Sequence, residues 1–481
     1  MKENRRKKEH VNKKINFPLF FPSMEESHAS DDDEFDQILL SIVREGRRDT
    51  LEKYLLSVKN PNWYLNKLYD DLHNQKCTLL MTACLNGYDD VIRMILKHFQ
   101  PDLEIPNNIS LYDDDQIRKM YFDVSVLWVA AALDKFSIVK LLIEHGANVN
   151  YRTKTQSTPV RCTCRHGNID MVRYLIENGA DIHAKNENNE TVLMVCANYG
   201  HADLVKLFVD EYRLDVNQCD DNGRSALYDA VHCESLEITK ILLEYGAKNF
   251  QSKIDQKSPL LRAAERRCVN IMNLISKYCP LIEQIDAKEF YASVIISNAT
   301  DMSNHEIAFE YLSKALQLRQ THNLPKILQS DPIEAFDYRQ ECQTLEQLEE
   351  IRFNADHMYI EALLILERIL GPNHEQYHRI LKYRGAELAD LDQYEEALNL
   401  WIYELSLSHQ YSLLISRNQL REIVSLICQM FTQSISVSFK NILLFLTILI
   451  EIIDQDMSNY YHDHVLNTLL YLITIIAKKV L

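Results

Sequence analysis

Apolar and polar positions alternate in a pattern that returns about every 33 residues through the middle of the chain. Segments of the form I-V-K-L-L-I-E-H-G-A begin at Ile138, Met171, Leu204 and Ile238, at spacings of 33, 33 and 34 residues. Each has its apolar residues three and four positions apart, which is typical of one face of a helix. A glycine or a charged turn closes each segment. The pattern predicts pairs of short helices that are repeated along the chain.

A second repeated string precedes each of these segments. It reads SVLWVA at 125, TPVRCT at 158, TVLMVC at 191, SALYDA at 225 and SPLLRA at 258. The strings match the T-P-L-H-x-A signature of ankyrin repeats, with an earlier copy at Cys77 and a degenerate one at 34–58. We therefore predict about seven ankyrin repeats over 34–280. Each helix pair would bury its apolar face against its neighbours, which makes an extended solenoid with a concave binding surface.

One interval departs from the period. The repeats at 77 and 125 are 48 residues apart, so about fifteen residues are inserted near 101–123. We expect a long polar loop there, because the segment is acidic and contains two prolines. A loop on a rigid scaffold often carries function, but a tolerated surface excursion is the alternative.

After Pro280 the period changes. YHRILKYRGAELADLDQYEEALNLWIYELSLS at 377–408 resembles a tetratricopeptide unit, with Gly385, Ala397 and Trp401 at its marker positions. A weaker copy lies at 305–319, and further helices are predicted at 345–370, 413–433, 438–454 and 462–479. The fold class is therefore all-α: an ankyrin-repeat solenoid followed by a tetratricopeptide-like helical-repeat domain at 285–481.

Composition and charge narrow the function. The formal net charge of −17 argues against nucleic acid as a partner. Eleven cysteines without framework spacing, and an N-terminus that lacks a secretory apolar region, favour reduced thiols in the cytoplasm or the nucleus. We expect the tail at 1–33, which is basic and then acidic, to be disordered, and a nuclear-localisation patch is the alternative. The apolar run at 442–450 is too short to cross a bilayer, so no membrane is expected. The apolar stripe of the last helices is too wide for one neighbour to cover, so we expect self-association through 440–481 or a partner that binds there.

The sequence has no motif typical of a catalytic or cofactor site. Phosphate-binding glycine loops, H-E-x-x-H and G-x-S-x-G are all missing from it. Cys162, Cys164 and His166 are the nearest approach to a metal cluster, but they fall on different faces of one short helix. We therefore predict a binding protein with no catalytic residues, metal or cofactor.

The fourth position of the repeat signature points to a binding surface. It normally holds histidine, but here it holds Trp128 and Arg161 in the two repeats that follow the insertion. Both residue types are enriched at interaction hot spots, and consecutive repeats should make them neighbours. A buried Arg161 needs a carboxylate or carbonyl partner, either a structural acid or the carboxylate of a ligand.

Several strings resemble the feminization-one (fem-one homologue) family. They are LWVAAALDKFSIVKLLIEHGANVN at 127–150, STPVRCTCRHGNIDMVRYLIENGADI at 157–182 and a long stretch at 345–401 that contains ERILGP and YRGA. The family's members are ankyrin-repeat substrate receptors of elongin B/C cullin–RING ubiquitin ligases. The resemblance implies that the concave face binds C-terminal degron peptides, which often end in arginine. The alternative is an ankyrin and tetratricopeptide scaffold without a connection to a ligase.

The resemblance also implies site residues. The family's peptide pocket maps onto Tyr112, Asp113, Trp128, Ser157 and Arg161. His166 stands where the family has an aspartate, so we expect a weak preference for a terminal arginine. The family's cysteine-containing helix that recruits elongin has no counterpart before Leu481. The resemblance implies elongin B/C and a cullin as partners, but without that helix we expect that this chain does not bind elongin B/C.

Overall fold

The computed structural model describes residues 29–70, 76–112, 118–298, 302–327, 333–413 and 417–455, apart from 434 and 436–437, and also Thr474. They form two compact units, one that ends at Lys154 and one that begins at Thr155. The division falls inside the predicted ankyrin region, and residues on both sides of 280 belong to the second unit. Most of the predicted tail 1–33, and the predicted helix 462–479 except Thr474, lie outside the described residues.

The first unit contains three helix pairs. The first helices of successive pairs contact one another, as do the second helices, so each pair buries its apolar side against the next. The chain enters the first helix at Ala29, before the predicted start of the repeats at 34. The helices are α1 (Ala29–Arg44), α2 (Arg48–Ser57), the short α3 (Pro61–Asn66), α4 (Leu79–Asn86), α5 (Asp89–His98), α6 (Val126–Ala132) and α7 (Phe136–Glu144).

The inserted segment near 101–123 forms a β-hairpin, not the irregular loop that we expected. Strands β3 (Asn107–Tyr112) and β4 (Arg118–Val124) pair antiparallel, and β3 also pairs with β2 (Lys76–Cys77), which pairs with β1 (Tyr69–Asp70). Ile109 and Val124 are fully buried, so the hairpin has a packed side. Its alternation of apolar and polar residues is short and interrupted by a bulge, which explains why the sequence pattern did not reveal it.

The second unit begins with four more helix pairs in the same arrangement. In three of these four pairs, a serine or threonine before the first helix accepts a hydrogen bond from the backbone N–H three residues on, at 3.3 Å for Thr191, 3.4 Å for Ser225 and 3.3 Å for Ser258. Thr158, before α8, makes no such bond. These caps explain the first position of the repeat signature. The helices are α8 (Pro159–His166), α9 (Ile169–Glu177), α10 (Val192–Asn198), α11 (Ala202–Asp210), α12 (Ala226–His232), α13 (Leu236–Glu244), α14 (Pro259–Glu265) and α15 (Val269–Ser276).

One glycine in these repeats is required by its surroundings. Gly167 ends α8 with φ 76°, a left-handed conformation that side chains other than glycine adopt at a cost. A Cβ atom there would lie 2.5 Å from the His201 ring. That ring donates from Nε2 to the Arg165 carbonyl, 2.8 Å away, and so connects consecutive repeats.

The second unit continues into longer helices without a break in packing, since α14 contacts α16. The predicted helix at 345–370 is divided in two near residue 353. A single 3₁₀ turn covers Glu334–Phe336. The helices are α16 (Leu281–Ser297), α17 (Met302–Thr321), α18 (Leu345–Ile351), α19 (Ala355–Leu370), α20 (Glu375–Asp390), α21 (Tyr394–Gln410), α22 (Arg417–Thr432) and α23 (Phe439–Gln455).

Helices α20 and α21 form the tetratricopeptide-like unit. Gly385 on α20 lies against the Trp401 indole of α21, where an added Cβ would come within 2.2 Å of the indole nitrogen. That nitrogen donates to the Lys382 carbonyl at 3.0 Å. The close approach of the two helices therefore depends on a residue without a side chain at 385.

A buried network of charges joins α16, α17, α19 and the segment between α17 and α18. Lys326 Nζ lies 2.7 Å from a Glu341 oxygen, and Arg319 makes two hydrogen bonds of 2.8 Å to the fully buried Glu289. Arg368 bonds Glu341 at 2.9 and 3.0 Å. Its seven members are Asp286, Glu289, Arg319, Lys326, Glu341, Glu361 and Arg368.

The described end of the chain exposes apolar side chains. Leu443 and Ile450 on α23 are 54% and 50% exposed, and Leu444 is 39% exposed. They lie on one side of the helix and belong to the region 440–481 for which we expected self-association. None of the described helices combines the length and the apolar character needed to span a lipid bilayer.

Candidate functional site

Trp128 lies in the first unit, on α6. Its backbone N–H donates to the Ser125 hydroxyl at 3.2 Å, which places the indole at the start of the helix. The side chain is 4% exposed and packs on Tyr121 of β4, with ring centroids 5.3 Å apart. The buried indole nitrogen has no hydrogen-bond partner among the described residues. The hairpin therefore lies against the residue that the sequence selected.

Of the other two predicted residues of the first unit, only Tyr112 is among the described residues. Tyr112 is the last residue of β3 and pairs with Arg118, and Asp113 lies outside the described residues. The aromatic residue that contacts Trp128 is Tyr121, which sequence reasoning missed. Its position became evident only from the strand register.

Arg161 lies in the second unit and is 6% exposed. Its Nη1 donates to the Glu190 carbonyl at 2.7 Å, and its Nη2 forms an ion pair with the Glu190 carboxylate. Of the two alternatives left open by the sequence, the structural acid is therefore present in this chain. The predicted proximity of Arg161 to Trp128 joins residues of different units and stays a prediction.

The remaining predicted residues flank Arg161. The Ser157 hydroxyl lies 3.8 Å from the Cys162 sulfur, and His166 is exposed at the end of α8. Burial raises the pKa of the Cys162 thiol to about 12, and Cys164 is fully buried. In the described part of the chain, no group of three or more His, Cys, Asp or Glu side chains could hold a metal ion.

Charged side chains surround Arg161 on the first-helix side of the second unit. Arg224 reaches the Asp220 carboxylate through Nε at 3.0 Å and Nη2 at 2.9 Å, and lies 3.6 Å from Glu190. Glu190 also accepts from the Asn186 amide at 2.8 Å. Asp229 on α12 is 9% exposed and interacts electrostatically with these groups. We name Arg161, Glu190, Asp220, Arg224 and Asp229 the Asp229 cluster.

Asp229 is the perturbed carboxyl of this cluster. Burial raises its pKa to about 7, Asp220 and Glu190 add to the rise, and Arg224 and Arg161 oppose it. A carboxyl with such a pKa changes its charge near neutrality. Perturbed titratable groups of this kind are frequent at functional sites.

The polar surface continues from the Asp229 cluster to the last repeat. The Tyr228 hydroxyl donates to Asp255 at 2.6 Å, and Arg262 bonds Glu265 at 2.7 Å. His374, at the start of α20, donates from Nε2 to the Asp255 carbonyl at 2.9 Å. The repeats thus present a row of charged groups that ends where the longer helices begin.

A serine, histidine and glutamate meet in the helical part, and they are buried. His378 Nδ1 lies 2.9 Å from Glu404 and 3.3 Å from the Ser408 hydroxyl, and Nε2 lies 2.8 Å from the Pro372 carbonyl. Ser408 donates to Glu404 at 2.8 Å. A nucleophilic serine needs a histidine nitrogen free to take its proton and needs access for a substrate. Here both histidine nitrogens face acceptors and Ser408 is 1% exposed, so the group holds α20 to α21.

Comparison with known proteins agrees with the fold. The family described as ankyrin repeats (3 copies) matches residues 105–186 and 193–288, and the single ankyrin repeat matches 75–105. The match at 105–186 includes the hairpin. Ankyrin repeats bind proteins, so the partners of this chain are proteins.

Three curated relatives illustrate the similarity. Protein fem-1 homolog C of Homo sapiens is 32% identical over 176 residues, which is 36% of this chain and 28% of that protein. Protein fem-1 homolog A-A of Mus musculus is 28% identical over 371 residues, 69% of this chain and 55% of that protein. A fem-1 homolog of Drosophila melanogaster is 33% identical over 335 residues, 69% of this chain and 49% of that protein. The chain thus spans about a quarter to a half of the length of these relatives. Its repeats and these similarities together establish that the chain belongs to the fem-1 family of ankyrin-repeat proteins.

Proposed function

We propose that this protein is the substrate-recognition subunit of a cullin–RING ubiquitin ligase, and that its ankyrin repeats bind the C-terminal segments of substrate proteins. Membership of the fem-1 family supports the ligase role, since the sequence resembles the substrate receptors of that family. Ankyrin repeats are protein-interaction modules, which supports a protein substrate.

The observation that carries the peptide-binding part is the row of charged groups between Arg161 and Arg262. Arg224 and Arg262 keep 34% and 23% of their side chains exposed although each has carboxylate partners. An extended peptide offers carbonyl groups along its length and a carboxylate at its end. Arginine forms strong, directional hydrogen bonds with both kinds of oxygen.

Binding of a free C terminus can be tested with paired peptides. A pool of N-acetylated decapeptides would be prepared with free and with amidated C termini and passed over the immobilised protein. We expect the free form to be retained and the amidated form to be lost. Equal retention of both forms would contradict recognition of the terminus.

The predicted site residues have their own test. Trp128→Ala should weaken binding of a retained peptide by about 1–3 kcal/mol, as truncation of a hot spot does. His166→Asp should increase the affinity for peptides that end in arginine relative to alanine. Normal folding of each variant would be checked by circular dichroism. Unchanged affinities in both folded variants would place the site elsewhere.

The second candidate is a scaffold that binds proteins without a ligase. The two candidates differ in elongin binding by the protein expressed from its full transcript. Co-precipitation of elongin B/C and a cullin would support the ligase role. Their absence, with a substrate still bound, would support the scaffold.

A further inference from the structure

The Asp229 cluster contains more carboxylates than cations. Its cations are Arg161 and Arg224, and its carboxylates are Glu190, Asp220 and Asp229. Arg161 is held by Glu190, and Arg224 is held by Asp220 at 2.9 Å. Asp229 is the carboxylate that remains after each cation has been paired.

Asp229 differs from Asp220 in its hydrogen bonds. Asp220 accepts from the backbone N–H of Arg224 at 2.7 Å and from its Nε at 3.0 Å. No hydrogen-bond donor or ion-pair partner reaches the Asp229 carboxylate among the described residues, although its side chain is nine-tenths buried. A nearly buried carboxylate without a donor in the protein is poorly solvated, which disfavours its charged form. Such a group is expected where a ligand supplies the missing donor.

Asp229 lies beside the surface of the repeats that carries the row of charged groups. It occupies the fifth position of the repeat signature on α12, and the corresponding residues of the neighbouring repeats are Val195 and Arg262. Val195 and Arg262 are partly exposed, and Asp229 is 9% exposed. In contrast, residues at the third position, such as Leu227, are fully buried. The carboxylate is therefore next to the surface on which we place the peptide.

Helices α10, α13 and α14 pack against α12. Helix α10 carries no charged side chain. On α13, Lys240 lies by Glu244, and on α14 Arg262 is bonded to Glu265. His232 on α12 itself is more than a third exposed, and burial together with the nearby arginines lowers its pKa. The nearby cations are therefore already engaged.

We propose that Asp229 binds a basic side chain, arginine or lysine, located within the bound peptide and not at its end. A cationic donor would balance the extra negative charge of the cluster and supply the hydrogen bonds that the carboxylate lacks. An acidic side chain at the same place would add to that negative charge. This inference rests on the proposed peptide-binding function and adds a specificity-determining residue to it.

The pKa of Asp229 gives the interaction a pH dependence. A cation binds the ionised carboxylate, so binding displaces the proton from a group whose pKa is about 7. The ionised fraction rises about tenfold between pH 6 and pH 8. The affinity for a peptide with the basic side chain should rise by about the same factor.

The test uses a library of N-acetylated decapeptides with free C termini, selected on the 481-residue chain and identified by mass spectrometry. We expect the unmodified protein to enrich arginine or lysine about tenfold at one or more internal positions. Asp229→Asn should retain peptides but lose this enrichment. Glu237→Gln is the matched control, because Glu237 is an exposed carboxylate on the second helix of the same repeat.

The outcomes separate this inference from the proposed function. If peptides are retained but Asp229→Asn selects internal basic residues as strongly as the unmodified protein, Asp229 has no such role. If peptides are retained without internal basic residues, the inference also fails while the proposed function stands. If no peptide is retained, both fail. For a selected peptide, a tenfold gain in affinity from pH 6 to pH 8 that Asp229→Asn abolishes would support the inference, and an equal gain in the variant would contradict it.

Discussion

Replacing Asp229 by asparagine should change how the stability of the protein depends on pH. The side chain keeps its size and loses its ability to ionise. In the folded protein the pKa of Asp229 is raised from 3.8 to about 7, first by burial and then by nearby carboxylates. Between these two values the folded state holds a proton that the unfolded state has released. Stability contributed by this proton is therefore present at low pH and is lost as the pH rises toward 7.

The size of the effect follows from the same two pKa values. Each unit of difference between the two pKa values corresponds to about 1.4 kcal/mol in the free energy of unfolding. The full loss of stability as the pH rises is therefore about 4 kcal/mol. Between pH 5 and pH 8 the loss amounts to about 2 to 3 kcal/mol. Asp229→Asn removes it. We therefore expect the variant to gain stability relative to the unmodified protein by that amount as the pH is raised from 5 to 8.

Urea unfolding followed by circular dichroism at pH 5 and pH 8 would measure the change. The comparison between the two pH values cancels any constant effect of the new amide. Glu237→Gln, an exposed carboxylate of the same repeat, should show no such gain. If Asp229→Asn follows the unmodified protein at both pH values, the carboxyl ionises normally in the fold and the reasoning is refuted.

Three other substitutions test other parts of the structure. Arg161→Ala should lower the free energy of unfolding, measured in urea titrations, by about 1–3 kcal/mol, because Glu190 loses its most buried partner. An unchanged free energy would show that the Arg161–Glu190 pair adds nothing to stability. Gly385→Ala should lower the free energy of unfolding by about 1–3 kcal/mol, because the added methyl group would clash with the Trp401 indole. Adding Trp401→Phe to that variant should recover part of the loss, and an unchanged stability of Gly385→Ala would contradict the close packing. Leu443→Lys should reduce self-association, measured by light scattering, because it introduces a charge into the exposed apolar stripe of α23. Equal scattering by the variant and the unmodified protein would exclude that stripe as the interface.

The sequence predicted the repeats well because their signals are local. The capping residue, the apolar spacing and the closing glycine of each repeat lie within about 33 residues, and each has a direct structural meaning. The hairpin at 107–124 was missed because its pairing depends on register and on contacts with β2. Tyr121 was missed for the same reason, while the resemblance directed attention to Tyr112.

The candidate site was predicted only in part. Arg161 was selected, and its need for a partner was stated, but Glu190 could not be identified because it lies 29 residues away in the next repeat. Asp229 was not selected at all. It occupies a variable position of the signature, and a single sequence does not show that a carboxylate there lacks a partner. Burial and the positions of neighbouring charges, which only the fold provides, distinguish it from other acidic residues.

The buried charge network of the helical part has a consequence for how this family can diverge. Its acids and bases come from segments as far apart as Asp286 and Arg368, 82 residues along the chain, yet each shares its partners with others. Loss of one member leaves an opposite charge buried without compensation, which is strongly destabilising, whereas replacement of several members by apolar residues is tolerated. Substitutions there should therefore occur together in related sequences. A relative with an apolar residue in place of Arg368 should also have lost Glu341 or Glu289, so the network is a set of positions expected to covary.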